Sequence, residues 1–395
     1  MRILTIGHSY AIELNRRFCR ELAATGGPNA EVVAVAPTAL SGEWGRLPLE
    51  PSTAPEGEPY RLEAVPVHGS SARLPQVFIY GRKLKRLLRE RWDVVHCAQE
   101  PYVMAGGQVA WRTRCDAKLV FSTYQNISKR YPPPFAQIER FAMNRADGWI
   151  PMGRTAYEAL KDRPGRADLP RRIIPPGVDV DQFRPDPEAR RAVRRHLGWD
   201  DRDEIPVVGF LGRFVPEKGL PLIRKALDIV TDRPWRALIV GGGPLEPELR
   251  AWEQKTVNQG QGQGGRVRII TGVRHAQVPE WLNAMDLLVA PSQTTPRWRE
   301  QFGRMLIEAM SCGVPVVASD SGEIPHVVAD AGVILPEADS QAWSQGLSEL
   351  LGDPDRRREL AERGIERARS LYAWPVVARA HWDFFAELQA GRSRR

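Results

Sequence analysis

The chain has 395 residues, 42% of them hydrophobic and 26% charged; this excludes a disordered protein and calls for two domains of roughly 200 residues instead of one core. No apolar run reaches the ~18 residues of a membrane span, and the opening MRILTIGHSY reads as strand and turn, not as a signal peptide, so a cytosolic protein is expected. The net charge of +8 lies in the first half: residues 1–184 hold 27 Lys+Arg against 19 Asp+Glu and residues 185–395 hold 29 against 29, which points to an anionic partner of the N-terminal half without saying which.

In chain order, RILTI at 2–6 reads as a short strand, and Gly7-His8-Ser9 turns into a helical stretch carrying Leu14, Phe18, Cys19 and Leu22, which Gly26-Gly27 stops. EVVAVA at 31–36 completes a βαβ opening, yet GHSYAI lacks the later glycines of GxGxxG, which disfavours a nicotinamide dinucleotide. Residues 37–59 read as a long surface loop and YRLEAVPV as another strand. The spacing across 76–92 predicts one basic amphipathic helix, with Val77, Tyr80, Leu84, Leu87, Leu88 and Trp92 along one face and Arg82, Lys83, Lys85, Arg86, Arg89 and Arg91 on the others. Its apolar face is expected to pack on the sheet with its charges solvated; the alternative places those exposed charges on acidic headgroups.

WDVVHCAQE and KLVFSTYQN are strands with polar ends. Ligands of open α/β sheets gather beyond the carboxyl ends of strands, which makes His96, Gln99, Glu100, Tyr124, Gln125 and Asn126 candidates for holding an acceptor. A proline-rich loop, a helix and a strand come next, then helix TAYEALKD and strand RRII. The turn-rich PPGVDVDQFRPDP at 175–187 reads as a linker, with the domain boundary after residue 184.

Strand IPVVGFLG at 205–212 leads into RFVPEKGLPLI, where Arg213 and Lys218 suit a diphosphate, Arg by forked hydrogen bonds and Lys as a compact charge. Gly241-Gly242-Gly243 ends the next strand, and NQGQGQGG at 258–265 reads as a flexible loop without chemistry. In PRWREQFGRMLIEAMSCGVPVVASDSG at 296–322, a loop with Glu300 precedes a helix that begins near Phe302, carries Glu308 and stops at Gly313, before a buried parallel strand. The unpaired N–H groups at that helix start favour an anion, and the eight-residue offset separates the two carboxylates by roughly 12 Å. Asp201-Arg202-Asp203 reads as a solvated acidic turn, and neither the dispersed histidines nor Cys19, Cys97, Cys115 and Cys312 form a metal set. The chain is helical from Ser340, and the tail GRSRR reads as disordered.

Glu300, Gln301-Phe302-Gly303, Glu308-Ala309-Met310, Gly313 and Pro315, together with GRFVPEKG at 212–219 and PPGVDVDQF, resemble the retaining glycosyltransferases of family 4. The resemblance implies the GT-B fold: two Rossmann-like doubly wound α/β domains facing a central cleft, residues 1–184 for the acceptor and 185–373 for the nucleotide-sugar donor, with a helix at about 374–390 crossing back onto the first. It implies that Arg213, Lys218 and Glu300 carry the reaction, and that Gly7, His8, Gly212, Val273, Arg274, Phe302, Gly303, Arg304, Met305 and Glu308 bind the donor. Glu300 would take the hexose hydroxyls and Glu308 the ribose. His96, Tyr124, Gln125 and Asn126 remain the acceptor candidates, with Gln125 standing where the family often has a histidine and DSGEIPHVV departing from the family's GGxPE turn at Glu323 and His326.

The activity implied is metal-independent, retaining transfer of a hexose from a UDP- or GDP-sugar to a hydroxyl acceptor in envelope polysaccharide or glycolipid synthesis, at the inner face of an acidic membrane, with neither cofactor nor nucleic acid. Two other readings use the same residues: an epimerase or phosphorylase on this scaffold, and a nucleotide-sugar-binding protein without transfer.

Overall fold

The computed structural model describes all residues except 43–44, 53–56, 72–73, 75, 200–203, 259–264 and 392–395. The acidic turn at 201–203, most of the 258–265 loop and the last four residues of the tail therefore lie outside the described residues. Two compact units are present: Met1–Gly177 with Trp374–Arg395, and Val178–Ala373.

In the first unit the strands are β1 (Arg2–Ile6), β2 (Glu31–Pro37), β3 (Ala39–Gly42), β4 (Gly45–Pro48), β5 (Arg61–Val65), β6 (Val67–His68), β7 (Ile79–Tyr80), β8 (Val94–Cys97), β9 (Lys118–Thr123) and β10 (Gly148–Pro151). Six form one sheet in the order β10-β9-β8-β1-β2-β5, parallel at every pairing. Alternate residues leave a strand on opposite faces, so each sheet feeds two cores. Leu4, Ile6, Val33, Val35, Val95 and Phe121 enter one, while Ile3, Val32, Ala34, Val94 and Val120 enter the other. The helix Trp374–Ala390 covers the second face: Trp374, Val377, Phe384, Phe385 and Leu388 join Phe18, Leu22 and Ile150 there.

Several local expectations change. Residues 8–16 form two 3-10 turns before the helix Arg17–Gly26, which Gly27 ends at φ 64°. The basic helix is only Arg82–Leu87, because Ile79–Tyr80 pairs as β7 with β6; Leu84, Leu87, Leu88 and Trp92 are buried. RRII at 171–174 is no strand but a single bridge from Arg171 to Trp149. The boundary falls seven residues before the expected one: Val178 N donates to Tyr372 O at 2.8 Å and Phe183 is 1% exposed in the second unit's core, so 178–184 packs with the second unit.

The second unit holds β11 (Val207–Arg213), β12 (Arg236–Gly242), β13 (Val267–Thr271), β14 (Leu287–Ala290), β15 (Val316–Ser319) and β16 (Gly332–Leu335), parallel in the order β13-β12-β11-β14-β15-β16. Leu238 and Val240 point into one core, Ala237 and Ile239 into the other. The connection reverses direction between β11 and β14, which opens a crevice at their carboxyl ends.

Candidate active site

The loops after β11 and β14 meet at that crevice. β11 runs out at Gly212-Arg213, with Arg213 exposed, and a 3-10 turn over Pro216–Lys218 comes next. Gly219 then adopts φ 73°, and a Cβ on it would lie 1.8 Å from the carbonyl oxygen of Pro291 just past β14. Only glycine allows this approach, and Gln293 N fastens it by donating to Glu217 O at 2.7 Å.

The approach delivers Lys218 to Glu300. Their side chains form an ion pair and are 12% and 8% exposed. Ser292 Oγ donates to the same carboxylate oxygen at 2.9 Å, and the Trp298 ring centroid lies 5.2 Å from Lys218 Nζ. The turn after β15 holds Glu300 from behind: Glu323 N donates to Glu300 O at 3.1 Å, and a Cβ on Gly322, at φ 57°, would sit 2.0 Å from that oxygen. Gly322 is thus the glycine this turn requires, and Glu323 serves through its backbone.

Past Glu300, Phe302 is buried and Gly303 takes φ 78° to start the helix Arg304–Ser311, two residues later than expected. Gly303, the N-cap residue, has no side chain to cap that start, and helix starts in general favour an anion through their N–H groups and positive dipole end. Gly303, Arg304 and Met305 occupy the first turn, with Arg304 and Met305 half-buried. Glu308 is 7% exposed, and its carboxylate lies 3.1 Å from His275 Nε2. His275 opens the short turn after β13, whose preceding loop contains Val273, half-buried against the core, and exposed Arg274, which bonds Gln277. Gly313 stops the helix at φ 71° as expected.

The structure therefore brings Lys218 and Glu300 together and places Glu308 on the helix that Gly303 starts. Lys218 faces Glu300 instead of solvent, which spacing alone did not suggest. Ser292, Trp298 and His275 are also part of these contacts and were missed. Ser292 ends the strand run LLVAPS, a position beyond a parallel strand where a polar residue is a usable signal; nothing in the sequence separates His275 from the other dispersed histidines.

The remaining candidates lie in the first unit. Gly7 packs under the Tyr10 ring, where a Cβ would meet ring carbons at 2.9 Å. His8 sits edge-on to Phe78, its Nδ1 has no hydrogen-bond partner among the described residues, and burial lowers its pKa. His96 is a core side chain and not an acceptor group: it is 2% exposed, Nδ1 bonds Thr5 Oγ1 at 2.9 Å, Nε2 bonds Ser122 Oγ at 2.7 Å, and its ring packs on Phe18, His381 and Phe385. Burial drives its pKa well below the usual value. Glu100 accepts from Tyr124 N at 2.8 Å and Gln125 N at 3.2 Å, holding the end of β9, and burial raises its pKa. Tyr124 is 41% exposed, whereas Gln125 and Asn126 are buried, the former donating to Ile127 O at 2.8 Å. Among the described residues no His, Cys, Asp and Glu cluster is arranged to hold a metal.

The family model for group 1 glycosyl transferases matches residues 192–367, and that for glycosyltransferase family 4 matches residues 15–182. The chain is 30% identical over 326 residues to a D-inositol 3-phosphate glycosyltransferase of Xylanimonas cellulosilytica, covering 78% of this chain and 75% of that protein. It is 35% identical over 225 residues to a GDP-mannose-dependent alpha-(1-6)-phosphatidylinositol monomannoside mannosyltransferase of Mycolicibacterium smegmatis, covering 55% of this chain and 56% of the relative. In fold it resembles Anabaena HepE in complex with UDP, with a TM-score of 0.73 at 19% identity over 98% of this chain and all of the other, and the sucrose-phosphate synthase of Thermosynechococcus elongatus, with 0.71 at 21% identity over 99% and 100%. Two Rossmann-like units, each with a six-stranded parallel sheet, define the fold class, GT-B. The chain belongs to glycosyltransferase family 4.

Proposed function

We propose that the chain moves a hexose from a nucleotide-diphosphate sugar to a hydroxyl acceptor with retention of configuration and without a metal ion. The observation that carries this reading is the buried Lys218–Glu300 pair set directly before the helix that Gly303 starts. A diphosphate at Gly303-Arg304 becomes a second counter-ion for Lys218, and Glu300, still held by Ser292, is released to accept hydrogen bonds from the hexose hydroxyls. Arg213, Lys218 and the helix N–H groups stabilise charge growing on the leaving diphosphate, whose oxygen takes the acceptor proton on the face it leaves from. Glu308, oriented by His275, receives the ribose hydroxyls. Fixed cations replace the divalent ion in this scheme.

The acceptor is assigned to glycolipid or envelope polysaccharide synthesis at the inner, anionic face of a membrane. Support comes from the excess positive charge of the first 184 residues and from relatives named for inositol phosphate and phosphatidylinositol mannoside acceptors. No helix among the described residues is long and apolar enough to cross a membrane.

The test is a screen of UDP- and GDP-sugars for a raised thermal midpoint, then transfer from the stabilising donor with chelator present. Binding with transfer and an α-linked product supports the reading. An isomerised sugar or a phosphate-dependent product without acceptor supports an epimerase or phosphorylase, and binding without turnover supports a non-catalytic protein.

A further inference from the structure

Between Ser292 and Glu300 the chain makes a tight turn, Thr295-Pro296-Arg297-Trp298, with proline at the position whose φ it presets. Trp298 N donates to Thr295 O at 3.3 Å and to Thr295 Oγ1 at 3.0 Å, and Thr295 N donates back to Trp298 O at 2.7 Å. The root of the turn is fastened as well. Thr294 donates through both N and Oγ1 to the Glu337 carboxylate, its Oγ1 lies 2.9 Å from Ser321 Oγ, and Glu337 N donates to Asp320 Oδ1 at 3.0 Å. These bonds tie the turn to the segments after β15 and β16, so Trp298 is presented from a fixed backbone.

What the turn presents is an indole beside a buried ion pair. Trp298 is half-buried, and its ring centroid lies 5.2 Å from Lys218 Nζ. Lys218 does not depend on the ring for its place, because the Glu300 carboxylate holds it, and Ser292 Oγ donates to that same carboxylate. The ring therefore adds an apolar surface where the charges are already matched. A pyranose is amphipathic: hydroxyls stand around its rim, and its faces carry C–H bonds whose positive hydrogens are drawn to the electron-rich face of an aromatic ring. A carboxylate for the rim with an indole beside it suits such a molecule, whereas a diphosphate calls for cations alone. A nucleobase would also stack on indole, but the nucleoside end is assigned to Glu308, further along the helix, and Trp298 stands two residues before Glu300. A ring already fixed by its turn loses little further freedom when a ligand packs on it.

We infer that Trp298 is a specificity-determining wall of the donor site, its indole packing on the C–H face of the pyranose whose hydroxyls Glu300 accepts. The inference rests on the nucleotide-sugar reading above and adds the side chain by which the site tells a sugar nucleotide from the bare nucleotide.

Titration calorimetry on the full chain with UDP, GDP, UDP-glucose and GDP-mannose tests it in the wild type, Trp298→Leu and Trp298→Phe. Trp298→Leu weakens the sugar nucleotide that the wild type binds at least about tenfold, the scale for one large aromatic contact, and changes the affinity for the matching nucleoside diphosphate less than about twofold. Trp298→Phe keeps an aromatic face and recovers most of that loss. Equal losses for sugar nucleotide and nucleotide in Trp298→Leu overturn the inference, since the ring then acts through Lys218, the base or the fold. A loss in Trp298→Phe as large as in Trp298→Leu overturns it too, because the aromatic face is then not what the sugar meets. Wild-type protein that binds none of the four ligands would remove the proposed function itself; wild-type binding of a sugar nucleotide with the same affinity in both variants would remove only the wall.

Discussion

Lys218 and Glu300 are both nearly buried, and each is the other's counter-charge, so the two substitutions separate chemistry from stability. Lys218→Ala and Glu300→Ala should each lower turnover at least about a hundredfold, the effect of losing one preorganised charge-stabilising contact; near-normal rates in a steady-state assay would remove the role. Lys218→Met leaves a buried carboxylate without its cation and should cost about 3 kcal/mol in urea unfolding, while adding Glu300→Gln should restore most of it. Failure of the double variant to recover would show that the two groups do not couple. His275→Ala should raise KM for the donor more than it lowers kcat, because its contact is to Glu308 and not to the reacting end. Gly219→Ala and Gly322→Ala combine a left-handed backbone with Cβ clashes against backbone oxygens, and each should lose donor binding along with about 1–3 kcal/mol of stability.

At the scale of elements, the helix Trp374–Ala390 lies on the N-terminal sheet through Phe384, Phe385 and Trp374 and buries His381 beside His96, ring centroids 5.8 Å apart. His381 Nδ1 contacts Val377 O at 2.9 Å, and desolvation lowers its pKa to about 4. Both histidines have folded-state values below the usual 6.5, so the folded chain holds them neutral while the unfolded chain takes up protons. Their neutral form costs nothing above pH 6.5; stability is then lost as pH falls from 6.5 toward about 4, by roughly 3 kcal/mol for His381 alone. Urea midpoints at pH 7.5 and 4.5 measure this, and His381→Phe should flatten the difference. An unchanged slope in that variant would place the acid sensitivity elsewhere.

Over the whole molecule, each unit has its own pair of cores, and the residues after β11 that are proposed to hold the donor lie in the second while the charge excess lies in the first. Vesicle binding should therefore weaken as salt rises from low to physiological strength, whereas the thermal shift by nucleotide sugar should persist. Salt-independent flotation would show that the cations make no contact with lipid.

What the sequence determined by itself were the features written in local order. Apolar runs such as EVVAVA, ALIVGG and VPVVAS are long enough for buried parallel strands, Gly313 can end a helix because it tolerates a left-handed turn, and the spaced pattern around Glu300 and Glu308 identifies the family. Tertiary structure decided which polar groups face one another. Lys218 and Glu300 are 82 residues apart and meet because Gly219 lets two loops touch; His96 becomes core because a helix from the far end of the chain covers it; Ile79 leaves the expected basic helix because β6 pairs with it. Local periodicity encodes burial along one segment, whereas pairing between distant segments depends on backbone approach and the competition of neighbours for the same space, which no single stretch contains.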